Sequence, residues 1–454
     1  MNGGTYQKDV EKERAGIYFR FSSAARARLL AGERGTAAYP LLLNWGPSNQ
    51  FIEIEKDSDV KKKLGLEIGD PSLLLLKELR KRAKVVKLYR INEGTKATGT
   101  LTIEGEGAAP TVTALYGGTK GNEVTIRVSA NVLEPLKKDV TTFVGTKAVE
   151  KQTVSDASEL VVNAYLSFEG EGKLLDAAGV KLTGGTDVEP TNLDYMNYLT
   201  AAELEYFDTI GFPVDGDETE ELKVTFASFI KRIRDEQGIK VQGVVANFSG
   251  DHEGIINVTN GATLPDKQLT VAETVAWVTG TSAGATLNQS LTFVEYEDAI
   301  GVFPEFDNDE IIERLGKGEF MLTYDPRDKE VSVEADINSF TTFTVEKNDK
   351  FKQNKFIRII DAINNDLTRE LKRTIKDLKN KGQDISTDDD GKQIVRTLAT
   401  IYLNELQGGG AIEDFDSTKD IDIAVTEKRD GFLIGLGIKD TGAAEKFYFD
   451  VVAR

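Results

Sequence analysis

The sequence predicts a multidomain α/β protein with an inserted β-sandwich, an α+β C-terminal domain and extended terminal arms. Its 454 residues exceed what one hydrophobic core usually organises. Strand and helix patterns alternate up to about residue 96 and again after residue 184, as in an α/β layer. Between them, short strands rich in Thr, Gly and Val are separated by glycine turns, which is typical of a small β-sandwich.

An N-terminal arm is predicted over residues 1–30. A polar leader precedes a segment in which apolar and polar residues alternate, the pattern of a half-buried strand. A strand near a chain end can complete its own sheet or add to the sheet edge of a neighbouring copy, and the sequence leaves both open. The residues expected to carry this strand are Ile17, Tyr18, Phe19 and Phe21.

The first part of the α/β domain is predicted over residues 31–96. Leu41–Leu43 is expected to be its first strand. Asp70 followed by Pro71 predicts a helix start, because Asp caps free backbone N–H groups and Pro suits the first helical position. Val85–Ile91 is expected to be the next strand.

The β-sandwich is predicted over residues 97–184, where it interrupts the α/β domain. We expect at least four short strands, separated by Gly-rich turns. A further strand and a helix near Lys147 to Phe168 are expected to close it. The four strands are Thr98–Glu104, Thr111–Tyr116, Glu123–Asn131 and Asp139–Val144.

The α/β domain resumes over residues 185–345. The spacing of apolar residues predicts an amphipathic helix over Thr219–Asp235, followed by a buried strand over Val241–Val245. Turn-forming residues between Phe320–Tyr324 and Glu330–Ile337 predict a β-hairpin at the end of this part.

The C-terminal domain is predicted over residues 346–454. It begins with a long helix whose apolar residues step by three or four and therefore form one stripe. A second helix is predicted over Lys392–Leu406, followed by strands over residues 421–426, 432–438 and 446–452. The stripe consists of Phe356, Ile360, Ile363, Leu367, Leu371, Ile375 and Leu378.

The same long helix concentrates positive charge. Residues 350–381 contain ten Lys or Arg and four Asp or Glu, so this segment has a net charge of +6 on a chain whose net charge is −19. An acidic protein partner, nucleic acid or plain solvation of the helix would each explain such a pattern. The basic face, as we call it, consists of Arg369, Lys372, Arg373 and Lys376.

Composition excludes several classes of function. A net charge of −19 disfavours nucleic acid as a general partner. The chain has no cysteine, which excludes disulfides, thiolate metal sites and cysteine catalysis. No apolar run is long enough to span a bilayer, so direct membrane insertion is not expected. The N-terminus lacks the apolar core of a signal peptide, and we therefore expect synthesis in the cytoplasm.

Candidate catalytic residues are few. His252 is the single histidine and lies close in sequence to Ser249 and Asp251, but neighbours this tight rarely reach the geometry of a triad. We expect a histidine in a surface loop. The acidic clusters at residues 215–218 and 388–390 lack the spacing of a calcium loop, and no phosphate-binding loop is found. The sequence therefore predicts no catalytic residue, no metal site and no cofactor.

Seven segments spread over nearly the whole chain match one protein family in order. They are Trp45–Gln50, Leu182–Asp187, Asn288–Thr292, Glu334–Thr344, Phe351–Asp361, Gly409–Ile412 and Glu445–Tyr448. The fourth is an alternating β segment that runs directly into the basic helix. In this order they resemble the contractile tail sheath proteins of myophages and phage-tail-like bacteriocins. The run Lys379–Lys392 departs from the loop that such relatives carry there.

This resemblance implies a structural role and not an enzymatic one. It implies a subtilisin-like α/β fold for the central domain, and subunits that form stacked rings or a helical lattice of sixfold symmetry around an inner tail tube. Baseplate and tail terminator proteins would be further partners, in a virion tail or a phage-tail-like particle. The sheath would contract and drive the tube through a target cell envelope. A hydrolase on a subtilisin-like fold is the alternative function.

The resemblance also gives two surfaces a predicted partner. Sheath relatives grip the inner tube through their C-terminal domain, partly by charge, so we expect the basic face to contact an acidic tube. We expect the two arms to lend strands to adjacent subunits, which would link every copy by main-chain hydrogen bonds. In the C-terminal arm the residues expected to do so are Phe447, Phe449 and Val451.

Overall fold

The computed structural model describes residues 34–451. The N-terminal strand predicted on Ile17, Tyr18, Phe19 and Phe21 lies outside the described residues. Among residues 34–451, no helix is both long and apolar enough to cross a membrane.

The first segment of the chain supplies three neighbouring strands and a capped helix. The side chain of Asp70 accepts a hydrogen bond from the Ser72 N–H, and Pro71 opens the helical turn that follows, as predicted. The first strand ends where Leu41–Leu43 was expected to begin, because the strand starts five residues earlier, at Thr36. The elements are β1 (Thr36–Leu41), β2 (Phe51–Ile54), α1 (Asp57–Asp59) with a π turn (Val60–Leu64), a 3-10 turn (Pro71–Leu73), α2 (Leu74–Arg80) and β3 (Val85–Arg90).

The insert between β3 and the rest of the α/β region consists of two packed antiparallel sheets. One has the order β10-β6-β5 and the other β11-β7-β8-β9, and both bury their inner side chains in one apolar cluster. Where a helix was expected before Phe168, only a 3-10 turn forms, over Ala157–Glu159. The strands are β4 (Gly94–Thr95), β5 (Thr98–Thr100), β6 (Thr111–Ala114), β7 (Val124–Ala130), β8 (Lys138–Val144), β9 (Lys147–Val154), β10 (Leu166–Glu169), β11 (Ala177–Lys181) and β12 (Thr186–Asp187).

The chain then returns to the α/β region through the short β4–β12 ladder, which holds the two connections of the insert together. The next elements are α3 (Asn192–Ala202), β13 (Thr209–Phe212), α4 (Glu220–Asp235), β14 (Gln242–Ala246), β15 (Ile255–Val258), β16 (Gly261–Thr263), α5 (Val271–Gly284), β17 (Gly301–Phe303), α6 (Asn308–Gly316), β18 (Glu319–Phe320), β19 (Leu322–Asp325) and β20 (Glu330–Val333).

A seven-stranded sheet organises this region, with the strand order β18-β15-β14-β13-β1-β3-β2. All pairs are parallel except the edge pair of β2 with β3. Helices α2 and α5 cover one face and helices α3 and α4 the other, so the central strands are buried on both sides. Helix α4 and strand β14 confirm the amphipathic helix and buried strand predicted here.

The last part of the chain packs two helices against small sheets. The long helix α7 (Asn354–Asn380) and the second helix α8 (Asp389–Gly408) confirm the predicted pair. The strands are β21 (Ile412–Glu413), β22 (Ile421–Val425), β23 (Phe432–Leu436) and β24 (Lys439–Asp440), paired as β21 with β24 and β22 with β23. The third predicted strand, over residues 446–452, joins no sheet within residues 34–451.

Candidate interaction surfaces and the junction behind them

The first half of α7, residues 354–366, is wedged between the α/β region and the C-terminal helices. Ile357 and Ile359 are buried on opposite sides of the helix, so a single apolar stripe does not describe this half. Of the predicted stripe, Ile363 is buried, whereas Ile375 in the second half is largely exposed. Polar residues are buried here too, because each finds a partner across the junction.

Arg234 on α4 and Asp361 on α7 form a buried, bidentate ion pair across the junction. Its N–O distances are 2.6 Å and 2.8 Å, and Arg234 also donates to the Val241 carbonyl at 2.6 Å. Burial by itself would lower the pKa of Arg234, but the Asp361 carboxylate more than offsets this and holds the pKa above its ordinary value. The arginine therefore stays charged inside the protein and fixes α7 against α4.

A second buried ion pair joins Arg358 on α7 to Asp336 at 2.7 Å. Arg358 also donates to the Gln289 carbonyl at 2.7 Å, while Asp336 accepts from the Leu291 N–H at 3.0 Å. The pair thus ties α7 to two separate loops of the α/β region. Arg358 belongs to the predicted basic helix segment, yet its side chain does not reach the surface.

Amide side chains complete the junction. Asn365 accepts from the Lys240 N–H at 2.9 Å and donates to the Lys240 carbonyl at 2.7 Å. Its side-chain amide thus satisfies both main-chain groups of Lys240, as a neighbouring strand would. The Gln242 amide, at the start of β14, donates to the Asn354 side chain at 2.9 Å. Sequence reasoning missed these contacts. These contacts could have been predicted from the polar residues at otherwise buried positions of the helix, since buried polar groups need hydrogen-bond partners.

The segment Glu334–Thr344 is an irregular linker in the structure and not a strand, although β20 immediately precedes it. Its polar side chains hold loops together instead of following a sheet. The Asn338 amide donates to the Phe351 carbonyl at 2.9 Å, and the Ser339 N–H donates to the Ile255 carbonyl at 2.8 Å. This segment therefore connects the start of β15 to the residues just before α7.

His252 is buried beside this linker, with 8% of its surface exposed, so the expectation of a surface histidine was wrong. Its Nδ1 accepts from the Gly254 N–H at 3.0 Å. Burial lowers the pKa of His252 to about 4, more than nearby carboxylates raise it, so the ring is neutral at pH 7. The neighbouring Asp251 carboxylate accepts from the Thr341 and Thr342 N–H groups and does not orient the ring.

This arrangement does not support the hydrolase alternative. A triad needs a base whose second ring nitrogen is held by a carboxylate, and here Nδ1 is taken by a backbone amide. Ser249, the nearest candidate nucleophile, is exposed in the loop that precedes them. Within residues 34–451, no group of three or more acidic or histidine side chains is placed to hold a metal ion.

The second half of α7, residues 367–380, presents the basic face to solvent. Arg369 and Arg373 have 55% and 59% of their side chains exposed, and both lie near Glu370. Lys372 and Lys376 are exposed, and no carboxylate among residues 34–451 lies within ion-pair distance of either. The predicted face is thus on one accessible side of the helix.

Fewer of the positive charges in residues 350–381 are available at the surface than the composition of this segment indicates. Lys350 pairs with Asp440 at 2.7 Å, Lys352 donates to the Leu315 carbonyl, and Lys355 and Arg358 are buried. These four charges serve the junction. The exposed positive charges lie in the second half of α7 and the turn after it, where Arg369 and Lys379 also pair with Asp366 and Asp384.

The C-terminal tail, residues 446–451, projects from the body of the protein. Phe447, Phe449 and Val451 are 69%, 86% and 87% exposed, and Tyr448 between them is 90% exposed. No main-chain hydrogen bond involves residues 446–451 among the described residues. A chain of this apolar composition has no partner within the part of its own subunit that the structure describes.

The β22–β23 hairpin offers open sheet edges in the same part of the molecule. One side of the hairpin packs Ile421 and Ile423 onto α8, while Leu433 and Ile434 of β23 remain exposed. As the hairpin has two strands only, each strand keeps one unpaired edge within the described residues. Unpaired edges of this kind accept an added strand.

Four domain families match the chain in succession. Residues 34–91 match the N-terminal region of domain III of the tail sheath protein Gp18, and residues 92–187 match the phage tail sheath protein beta-sandwich domain. Residues 189–339 match the phage tail sheath protein central domain, and residues 346–454 match the phage tail sheath C-terminal domain.

Individual relatives agree with these matches. The chain is 52% identical to the phage-like element PBSX protein XkdK of Bacillus subtilis, with 99% of both chains covered. It resembles the crystal structure of the sheath tail protein Lin1278 from Listeria innocua, at 50% identity and a TM-score of 0.81, over 92% of this chain and 94% of that one. A sheath tail protein from Desulfitobacterium hafniense is 39% identical, with a TM-score of 0.83 over 96% and 99% of the chains.

Similarity of this extent, over every part of the chain, establishes its family. The matched families are all domains of phage tail sheath proteins, and both solved structures are of sheath tail proteins. The chain belongs to the phage tail sheath family.

Proposed function

We propose that this protein polymerises around an inner tail tube and that the resulting sheath contracts, driving the tube through a target cell envelope. Contraction needs many subunits that move relative to one another without separating. The observation that carries this proposal is the apolar tail, residues 446–451, which is exposed and joins no sheet among residues 34–451, on a chain whose C-terminal domain also has a hairpin with open edges. The tail of one copy would add a strand to the C-terminal region of the next.

Strand addition suits a lattice that changes shape. Each main-chain hydrogen bond contributes about 0.5–1.5 kcal/mol net, and burying Phe447, Phe449 and Val451 adds about 1.5–3 kcal/mol for each side chain. A link of several bonds therefore holds while the bodies of the two subunits rotate. The N-terminal strand on Ile17, Tyr18, Phe19 and Phe21 would supply a second link of the same kind.

The basic face on α7 would contact the inner tube. Its charges are exposed on a protein whose net charge is −19, so an acidic surface is favoured there and repelled elsewhere. Nucleic acid is the less favoured partner, because the rest of the surface would repel it. The tube contact rests on charge at one face and is therefore expected to weaken in salt.

The remaining features of the proposal follow from the family. The five units would be an N-terminal arm over residues 1–30, a first α/β part over 31–96, a β-sandwich over 97–184, a subtilisin-like α/β part over 185–345 and a C-terminal domain over 346–454. The lattice would be sixfold, with baseplate and tail terminator proteins at its ends. The protein would be made in the bacterial cytoplasm, need no cofactor and catalyse no reaction.

Electron microscopy of the purified protein tests polymerisation. We expect hollow cylinders from the wild-type chain. Deleting residues 1–21, or changing Phe449 to Pro so that its N–H cannot join a sheet, should leave a folded subunit that forms no cylinders. Changing Phe449 to Tyr is the matched control, because it keeps the N–H and the ring. Cylinders from the deletion or from the Pro variant would contradict strand exchange.

Co-sedimentation with the inner tube protein tests the basic face. Changing Arg369 and Arg373 together to Glu should weaken binding of sheath to tube at low salt, since like charges would then face an acidic tube. Changing Lys392 and Lys419 together to Glu, both outside α7, is a control of the same charge change elsewhere. Unchanged co-sedimentation of the double variant at low salt would rule out this contact.

A further inference from the structure

The short segment that precedes the C-terminal tail is attached to the body in an unusual way. Up to Thr441 the main chain is fixed, because β24 pairs with β21 and the Thr441 N–H donates to the Ala411 carbonyl at 3.2 Å. Residues 442–445 make no further main-chain to main-chain hydrogen bond among residues 34–451. The Asp440 carboxylate accepts from the Gly442 N–H at 3.3 Å within the turn, and two more distant side chains of the body hold the rest of the segment. We call residues 442–445 the strap.

The first of these side chains is Lys355 of α7, and the second is Ser290 of a loop in the α/β region. The Lys355 ammonium donates to the Gly442 carbonyl and, at 3.3 Å, to the Thr441 hydroxyl. The Ser290 hydroxyl donates to the Glu445 carboxylate at 2.7 Å. After Glu445 no main-chain hydrogen bond joins the tail to the rest of residues 34–451, and its side chains are exposed to solvent.

The strap does not pack into the body. It runs along the rim of a groove of about 380 Å³, whose other wall includes Thr292, Asp336 and Lys352. Its small residues Ala443 and Ala444 are exposed. Gly442 adopts a φ of +41°, a backbone conformation that other residues rarely take, which makes this position a natural pivot. A segment held by a few side-chain hydrogen bonds at the rim of a groove can detach without breaking the core.

Detachment would change how far the tail reaches. Each extended residue spans about 3.3 Å, so release of the four residues 442–445 gives the tail about 13 Å more length. We propose that the strap is a length reserve: it is latched by Lys355 and Ser290 in the extended sheath, and it is released as neighbouring subunits move apart in the shortened, wider sheath. This inference rests on the proposed function, in which the tail is anchored in a neighbouring copy.

The chemistry of the latch fits reversible release. Burial is the largest influence on the Lys355 amine and lowers its pKa, and its acceptors are one carbonyl and one hydroxyl instead of a carboxylate. Lifting the strap would return the ammonium to water, which solvates it well. The Glu445 carboxylate is exposed already and loses a single hydrogen bond.

A cross-linked strap tests the inference directly. The chain has no cysteine, so Ser290→Cys with Glu445→Cys creates a unique thiol pair. A short bismaleimide bridges the two thiols, and N-ethylmaleimide, which modifies each thiol without joining them, is the control. We expect both modified proteins to assemble with the tube in the extended form. Sheaths of the bridged protein should then fail to contract, whereas control sheaths should contract normally. Equal contraction of bridged and control sheaths would overturn the inference.

A distance measurement keeps the test decisive if the modified chains assemble poorly alone. The same two positions carry nitroxide labels, and the labelled chain is diluted into an excess of wild-type chain before assembly. Pulsed electron paramagnetic resonance should show a label separation that increases by about 13 Å on contraction. An unchanged separation overturns the strap. Wild-type protein that forms no sheath at all would instead overturn the proposed function, and this inference with it.

Discussion

The two halves of α7 both carry arginines, but in opposite environments. Residues 354–366 carry Arg358 and Asp361 into the junction, where both are buried and paired. Residues 367–380 carry Arg369 and Arg373 to the surface, where they are largely exposed. The comparison shows that arginines of one helix can fix a domain junction in its first half and remain exposed to solvent in its second half.

The largest expected difference between the two halves of α7 is in how much a substitution lowers the free energy of unfolding. Changing Asp361 to Leu leaves the Arg234 charge buried and uncompensated, which should cost about 3–5 kcal/mol of the free energy of unfolding. Asp377, which is exposed in the second half, is the matched control, and its change to Leu should cost less than about 0.5 kcal/mol. Urea unfolding followed by circular dichroism measures both, and equal midpoints would refute the contrast.

The free energy of unfolding should depend on pH because His252 is buried beside the linker Glu334–Thr344. Its pKa is about 4 in the folded protein and about 6.5 when unfolded, so the unfolded chain binds the proton more tightly. Stability contributed by the neutral ring is therefore complete above about pH 6.5 and is lost as the pH falls towards 4, by about 2–3 kcal/mol.

The histidine contribution is isolated by comparing wild type with His252→Gln. The variant keeps an amide oxygen that can accept from the Gly254 N–H but has no titrating group in this range. We expect the two proteins to differ in the slope of unfolding free energy against pH between 4 and 6.5 and to run parallel above pH 7. Identical slopes throughout would mean that the ring is not buried in its neutral form.

A smaller loss of stability is expected when the Asn365 amide is removed. Changing Asn365 to Ala removes both hydrogen bonds to the Lys240 main chain and should cost about 1–2 kcal/mol. Asn380, exposed at the end of the same helix, is the control and should change little when replaced by Ala. A loss of the same size at both positions would indicate helix propensity and not the junction as its cause.

The smallest effect on folding is expected at the basic face. Changing Arg373 to Glu should alter the free energy of unfolding by less than about 0.5 kcal/mol, because the side chain is mostly solvated and its nearest carboxylate, on Glu370, is 4.0 Å away. Thermal unfolding at low and high salt measures this. A strong destabilisation would show that the second half of α7 has a structural role after all.

Regular elements were the most predictable part of this molecule. The Asp70 and Pro71 cap, the amphipathic helix α4 and the helical pair α7 and α8 follow from local pattern alone. The segment Glu334–Thr344 was predicted as a strand from its alternation, but its polar residues bond to separate loops. Alternation reports which residues can face a core, and it does not report whether a neighbouring strand is present.

By itself the sequence determined the α/β alternation, the β-rich insert, the apolar tail and the concentration of charge on α7, since these depend on residue type and spacing along the chain. Tertiary structure alone decided which charges are buried. Arg234 and Asp361 are 127 positions apart, and His252 is neutral because of groups brought around it by folding. A charged group can be buried only where a distant partner compensates its lost solvation, and local sequence holds no record of that partner.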